Sequence, residues 1–107
     1  MPRWLPKQLG HIRDLAMQRR VSFTYKAVRE IAVLGSGLDP DDACEVLSRL
    51  EETDFHDRLK SKGTGEWMYV FKPTVAEMLV YVKLIVRRTC LVVSFHEDEG
   101  ISDDEDS

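Results

Sequence analysis

The sequence predicts an α+β protein, in which N-terminal helices pack on a C-terminal antiparallel β-sheet. Two observations predict this class. Apolar residues recur every three or four positions over the first half of the chain, which is the spacing of amphipathic helices. From Thr53 onward apolar and polar residues alternate, which is typical of strands with one buried face. The links between these strands are too short for crossover helices, so we expect an antiparallel sheet.

Three helices are predicted in the first half. The first covers Leu5 to Met17 and has basic residues on its polar side. The second follows Thr24, a residue type that caps helices, and ends at the glycine-rich segment 35–37. The third opens with Asp39 as its cap and Pro40 at the first helical position.

Four strands are predicted in the second half, at residues 55–60, 66–73, 78–88 and 90–96. Segment 62–65, Lys-Gly-Thr-Gly, indicates a hairpin turn between the first two strands. We expect residues 1–96 to form one domain, since 107 residues with 43% hydrophobic content suffice for a single core.

Composition excludes several classes of protein. No apolar run is long enough for a membrane span, and the first residues lack a secretory signal, so we expect a cytoplasmic protein. The two cysteines, Cys44 and Cys90, lack metal-ligand spacing and are predicted to be buried free thiols. Acidic residues show no clustering suited to magnesium, so we expect neither a metal nor another cofactor.

Charge is unevenly distributed along the chain. The formal net charge is −4, but seven of the nineteen acidic residues lie within residues 97–107. Without these seven, 15 basic residues face 12 acidic ones, which leaves a body of charge +3. We expect 97–107 to be a disordered acidic tail, which either aids solubility or competes with RNA for a basic face.

Alternation along the strands predicts which side chains share a face. In the third predicted strand Val80, Val82 and Leu84 point to the helices, and Tyr81 and Lys83 point away. In the last strand Leu91, Val93 and Phe95 are predicted to point inward. The predicted open face gathers one tyrosine, two histidines and five cations: His56, Arg58, Lys60, Lys72, Tyr81, Lys83, Arg87 and His96.

This set of groups fits RNA cleavage without a metal. The reaction needs a base for the 2′-hydroxyl, an acid for the departing 5′-oxygen and cations near the phosphate, and histidine suits both proton transfers. A simpler interpretation is that any half-exposed sheet displays polar residues on its wet side. RNA binding without cleavage would need stacking aromatics there. Only Tyr81 qualifies, because Trp4 and Trp67 are interpreted as core or lid residues.

Four stretches carry a resemblance to a known family: Leu-Glu-Glu-Thr-Asp-Phe-His at 50–56, Trp-Met-Tyr-Val-Phe-Lys-Pro at 67–73, Val-Tyr-Val-Lys-Leu-Ile-Val at 80–86, and Leu-Val-Val-Ser-Phe-His at 91–96. With these landmarks in order, the chain resembles the motility quorum-sensing regulator (MqsR) toxins from about residue 12 to 97. The resemblance implies a RelE-like fold and endoribonuclease activity on messenger RNA around GC-starting triplets. It also implies a cognate MqsA-like, DNA-binding antitoxin that represses the shared operon.

The resemblance also assigns residues. The family tyrosine falls on Tyr81 and its neighbouring lysine on Lys83. Three other family positions differ: a lysine is replaced by Asp57, a glutamine by Met68 and a second lysine by His96.

Two functions follow as expectations. In the first, an endoribonuclease, His96 and His56 transfer protons, Tyr81 and Arg58 stabilise the phosphate, and three lysines hold the RNA backbone: Lys60, Lys72 and Lys83. In the second, the chain keeps the fold and the antitoxin interface but has lost catalysis through the three substitutions.

Overall fold

The structure, a computed structural model, describes residues 2–34 and 37–98. Its helices are α1 (Leu5–Met17), α2 (Tyr25–Ala32) and α3 (Pro40–Ser48), and a short 3₁₀ turn covers Glu52–Asp54. The strands are β1 (Val21–Phe23), β2 (Phe55–Lys60), β3 (Trp67–Phe71), β4 (Thr74–Val75), β5 (Met78–Val86) and β6 (Cys90–Glu97). This is the predicted α+β class. Among the described residues, no helix is long and apolar enough to cross a membrane.

The helix caps form as the sequence predicts. The Thr24 side chain accepts a hydrogen bond from the backbone N–H of Ala27 at 3.0 Å. Asp39 and Asp42 form a reciprocal capping box at the start of α3. Each cap satisfies backbone N–H groups that have no partner within their own helix.

The four predicted strands pair antiparallel in chain order, β2 with β3, β3 with β5 and β5 with β6, as expected. The sheet adds two short strands: its order is β1-β6-β5-β3-β2, with β4 paired to β5, and β1 runs parallel to β6. The prediction missed β1 and β4 because strands of three and two residues are too short to show alternation. Helices α2 and α3 follow β1 and form part of the connection that its parallel pairing requires.

Two β-bulges change which residues share a face. In β2, Phe55 pairs with Phe71 but Asp57 pairs with Val70, so His56 is an extra residue. In β6 the pairing with β5 likewise skips Val93. A bulge reverses the alternation beyond it, and no feature of the residue types signals either one.

The core lies between the helices and one sheet face, the inner face. Inner-face residues of β5 in this core are Val80, Val82 and Leu84, as predicted. In β6 the buried inner residues are Cys90, Val92 and Phe95. The predicted inward orientation of Leu91 and Val93 is wrong, because the bulge at Val93 shifts the first half of β6 by one position.

Helix α2 covers the edge of β6 beyond the end of β1. The backbone N–H of Thr24 donates to the carbonyl of Val92 at 3.0 Å. The Glu30 carboxylate accepts a hydrogen bond from the backbone N–H of Phe95 at 2.8 Å. These contacts satisfy an edge that would otherwise present unpaired backbone groups. At the other end of the sheet, β2 is an edge strand.

Both cysteines, Cys44 and Cys90, are buried and free, as predicted. Burial raises the pKa of the Cys90 thiol to about 12. At the C-terminal end, Glu97 is the last residue of β6 and Asp98 is ordered beside it, so the first two residues of the predicted tail belong to the folded domain. Residues 99–107, the rest of that tail, lie outside the described residues.

Candidate functional site

The outer face of the sheet, opposite the helices, holds a group of reactive side chains. Tyr81 of β5 and His96 of β6 are directly paired in register. Their rings are stacked, with centroids 5.0 Å apart and planes inclined by 12°. Cross-strand pairing of neighbouring strands therefore brings together a phenol and an imidazole from positions fifteen residues apart.

Lys72 flanks the stacked pair on the β3 side. Its Nζ lies 6.0 Å from the centroid of the Tyr81 ring. The same ammonium forms an ion pair with the Asp98 carboxylate at 3.4 Å. The backbone N–H of Asp98 donates to the carbonyl of Leu79 at 2.8 Å, which fixes the carboxylate next to the sheet. Asp98 thus orients a cation of the site, a role that its place in an acidic run concealed.

Lys83 lies two residues from Tyr81 on the same face. It is buried and pairs in register with Val70 on one side and Ser94 on the other. Ser94 accepts a hydrogen bond from the Lys26 ammonium at 2.8 Å, and Lys26 also ion-pairs with Glu30 at 2.9 Å. We call Lys72, Tyr81, Lys83 and His96 the outer-face cluster. The sequence analysis missed Lys26, although its spacing of four from Glu30 is a typical helix ion pair.

The hydrogen bond of His96 defines which ring nitrogen can act as a base. Its Nδ1 lies 2.9 Å from the backbone carbonyl oxygen of Glu97. A carbonyl oxygen only accepts, so Nδ1 carries the proton. In the neutral imidazole, Nε2 is therefore the atom with a free lone pair, which can take a proton from a substrate hydroxyl.

The outer face is less open than predicted. Tyr81 is 6% exposed and Lys83 is 8% exposed, whereas His96 is half-buried.

The three positions at which the chain departs from the resembled family lie on the outer face. One of them, His96, belongs to the cluster, and the other two lie on the strands beside it. Asp57 pairs with the outward-facing Val70, and Met68 pairs with Leu59 in the next row. Because of Asp57, a carboxylate replaces a family cation in the row of Lys83.

Arg58 and Lys60 do not join the cluster, which corrects the prediction of their orientation. Arg58 pairs with Tyr69 and Lys60 pairs with Trp67, so both lie on the inner-face side at the edge of the sheet. The bulge at His56 is the physical cause, because it reverses the alternation of β2.

His56 is also separated from His96, the histidine with which it was predicted to share proton transfer. It is the exposed extra residue of the β2 bulge, and strand β3 lies between β2 and β5. Two strand spacings amount to about 10 Å. His56 is therefore not placed with Tyr81 and His96.

Arg87, the remaining predicted cation, is neutralised by a glutamate. Its Nε and Nη2 donate to the two carboxylate oxygens of Glu66 at 2.8 and 2.6 Å. These hydrogen bonds lower the pKa of Glu66 from 4.5 to about 2. In the described parts of the chain, no group of three or more histidine, cysteine, aspartate or glutamate side chains is arranged to hold a metal ion.

The chain is thus a small α+β domain whose sheet carries an imidazole, a phenol and two lysines on one face, groups that are suited to act on a phosphodiester. Residues 6–97 match the family model described as motility quorum-sensing regulator, toxin of MqsA, and the chain belongs to this family. It is 31% identical over 91 residues to a protein of Escherichia coli (strain K12), mRNA interferase toxin MqsR. The match covers 84% of this chain and 91% of the relative.

Proposed function

We propose that this chain is an mRNA interferase toxin, an endoribonuclease that cuts messenger RNA at the outer-face cluster and is neutralised by an antitoxin. The observation that supports this most directly is the stacked Tyr81–His96 pair, flanked by Lys72 and Lys83 on one sheet face. Membership of a toxin family and the name of the E. coli relative support the substrate. Messenger RNA as substrate implies action in the cytoplasm.

The proposed reaction is a transesterification without a metal ion. His96 Nε2 takes the proton of the 2′-hydroxyl, and the 2′-oxygen attacks the adjacent phosphorus. The bond from phosphorus to the 5′-oxygen breaks, and the Tyr81 hydroxyl supplies the proton to that oxygen. The proton that His96 took is released to water, and Tyr81 regains one from water, which restores both groups. Lys72 and Lys83 stabilise the extra negative charge on the non-bridging oxygens of the phosphate. The products are a 2′,3′-cyclic phosphate, which can open to a 3′-phosphate, and a 5′-hydroxyl.

The partner that we propose is an MqsA-like, DNA-binding antitoxin. The family description, toxin of MqsA, supports it. We also propose sequence selectivity around GC-starting triplets, which the resemblance of the sequence to the family implies.

Cleavage in the presence of EDTA tests the proposal. Purified protein, freed of antitoxin, is incubated with an RNA that contains GC-starting triplets, and the new ends are identified by mass spectrometry. We expect cyclic or 3′-phosphate ends, and a loss of rate of about 100-fold in Tyr81→Phe, which keeps the ring stack and removes only the hydroxyl. Cleavage that stops with EDTA, or that leaves 5′-phosphate ends, would contradict this mechanism.

A second function is favoured by Asp57 and Met68. A carboxylate and a thioether stand on the outer face where the resembled family has a cation and an amide, and the carboxylate repels a phosphate. A chain weakened in this way would act as an antitoxin-binding and transcription co-regulatory module. Expression in a host cell separates the two functions: growth arrest that Tyr81→Phe relieves supports the nuclease, whereas antitoxin binding with normal growth supports the module.

A further inference from the structure

A second basic surface lies on the other side of the sheet, between the start of α1 and strands β2 and β3. It is a groove of about 520 Å³. Its lining is basic and aromatic and contains no carboxylate: Arg3, Trp4, Lys7, His11, Arg58 and Tyr69, together with Gln8. Gln8 donates to the Tyr69 hydroxyl at 3.1 Å, which links α1 to β3 along the groove. We call this the tryptophan groove.

Two tryptophans enclose the Arg58 side chain at this groove. The guanidinium carbon lies 4.3 Å from the centroid of the Trp4 ring and 4.0 Å from that of Trp67. Lys60 Nζ lies 4.6 Å from the Trp67 centroid. Cation–π attraction holds these groups together. Trp67 is 40% exposed, so of the two predicted alternatives, core or lid residue, it is not a core residue, and part of its side chain is open to a ligand.

The cations of this region lack acidic partners. Arg19, Lys26, Lys72 and Arg87 elsewhere form ion pairs. Within residues 2–34 and 37–98, by contrast, no ion pair involves the four cations beside the two tryptophans: Arg3, Lys7, Arg58 and Lys60. Trp4 is half-buried against the core and Trp67 is exposed. Unneutralised cations next to an exposed indole ring are a combination by which proteins hold single-stranded nucleic acid, through phosphate contacts and base stacking.

We infer that the tryptophan groove binds single-stranded RNA outside the nucleotides that are cut. Arg3 and Lys7 contact phosphates, and a base stacks on Trp67. The inference rests on the proposed function for the identity of the ligand. The groove and the outer-face cluster lie on opposite faces of the sheet. Strand β2, which contributes Arg58 to the groove, is the edge strand at this end of the sheet. One strand of RNA would therefore pass over this edge.

Intrinsic fluorescence reports on this region, because both tryptophans of the chain contact Arg58, which lines the groove. The probe is a 2′-O-methyl RNA of about 12 nucleotides, a length within the range of single-strand sites. Blocked 2′-hydroxyls prevent cleavage. We expect quenching of tryptophan fluorescence on binding, and dissociation constants are obtained in parallel from the anisotropy of a dye on the RNA.

Charge reversal tests the phosphate contacts. The double variant Arg3→Glu, Lys7→Glu is expected to weaken binding about tenfold or more and to reduce the salt dependence by about two counterions. Each single variant, Arg3→Glu and Lys7→Glu, is compared with Arg20→Glu, which makes the same charge change at an exposed cation just beyond the other end of α1. We expect the affinity of Arg20→Glu to stay within about twofold of the parent, since general charge effects are screened over about 10 Å.

Stacking is tested at Trp67. Trp67→Ala should weaken binding about tenfold, and Trp67→Phe should restore most of the affinity because a ring remains. Circular dichroism confirms that each variant is folded.

Several results would overturn the inference. RNA binding without a fluorescence change, or with affinity unaffected by Arg3→Glu, Lys7→Glu, would exclude the groove as the site. Equal binding and quenching by inorganic polyphosphate or by polyglutamate would indicate a general polyanion site or an acidic protein segment as the ligand. Failure of the proposed function is distinguishable, because a protein that quenches with RNA in this way but leaves unmodified RNA intact has the groove without the nuclease.

Discussion

Asp57 places a negative charge on the outer face, where we propose that RNA is cut. It is exposed, and it pairs with Val70, which in turn pairs with Lys83 of the outer-face cluster. Two strand spacings, about 10 Å, separate Asp57 from Lys83, so the carboxylate would act on a phosphate at Lys83 by longer-range repulsion and not by contact.

Removing this charge should increase RNA cleavage. We expect Asp57→Asn to raise kcat/KM several-fold and Asp57→Lys to raise it about tenfold, since a charge change near a phosphate is worth about 1 kcal/mol or more. Initial rates on one RNA at low salt measure this, and the gain should shrink as salt increases. A cleavage rate that is unchanged or lower in Asp57→Lys would contradict the placement of this residue near the bound RNA.

The Glu66–Arg87 contact makes stability depend on pH. Because the folded pKa of Glu66 is about 2 and the ordinary value is 4.5, folding favours the ionised carboxylate. The stabilisation is fully present above about pH 4.5 and is lost as the pH falls toward 2. We expect Glu66→Gln to flatten this part of the profile of thermal unfolding midpoint against pH. Glu77→Gln, at an exposed turn position, is the control, and equal profiles for both variants would contradict the assignment.

Helix α2 covers the edge of strand β6. The Glu30 carboxylate accepts from the Phe95 N–H and also pairs with Lys26. We expect Glu30→Ala to lower the free energy of unfolding by about 1–3 kcal/mol, because it leaves a partly buried N–H without a partner. Glu30→Gln, which keeps an acceptor oxygen, should lose less. Urea denaturation measures both, and equal losses in the two variants would show that this hydrogen bond is unimportant.

The sequence predicted most elements because their signals are local. Thr24 and Asp39 cap helices where their residue types predict it, and the four longer strands occur at nearly the expected residues. The sequence could not predict the two bulges. An extra residue such as His56 does not interrupt the pattern of residue types along the strand, so it leaves no signal in the sequence.

The bulges also explain why the predicted site residues fall into two groups. The outer-face cluster stays on one face because no bulge separates its residues from their neighbours in register. Arg58 lies beyond the bulge of β2 and moves to the other side. The groove around it escaped prediction because it joins residues of α1 to two strands, and such contacts depend on how the helix packs.

On the scale of the whole molecule, the sheet separates two basic surfaces with different chemistry. The outer face has Tyr81 and His96 stacked in register, and the tryptophan groove has cations beside Trp4 together with another imidazole and phenol, His11 and Tyr69. The Tyr69 hydroxyl accepts a hydrogen bond from Gln8, whereas Tyr81 stacks on His96, so we propose cleavage at the outer face.

Single-turnover cleavage at saturating protein, compared between His96→Ala and His56→Ala, tests whether RNA is cut at the outer-face cluster. Both variants remove one imidazole from the sheet, but only His96 stacks on Tyr81. We predict a loss of about 100-fold or more for His96→Ala, the range expected for a general base, and a change within about twofold for His56→Ala. A rate for His96→Ala close to that of the parent, or a large loss confined to His56→Ala, would contradict cleavage at this cluster.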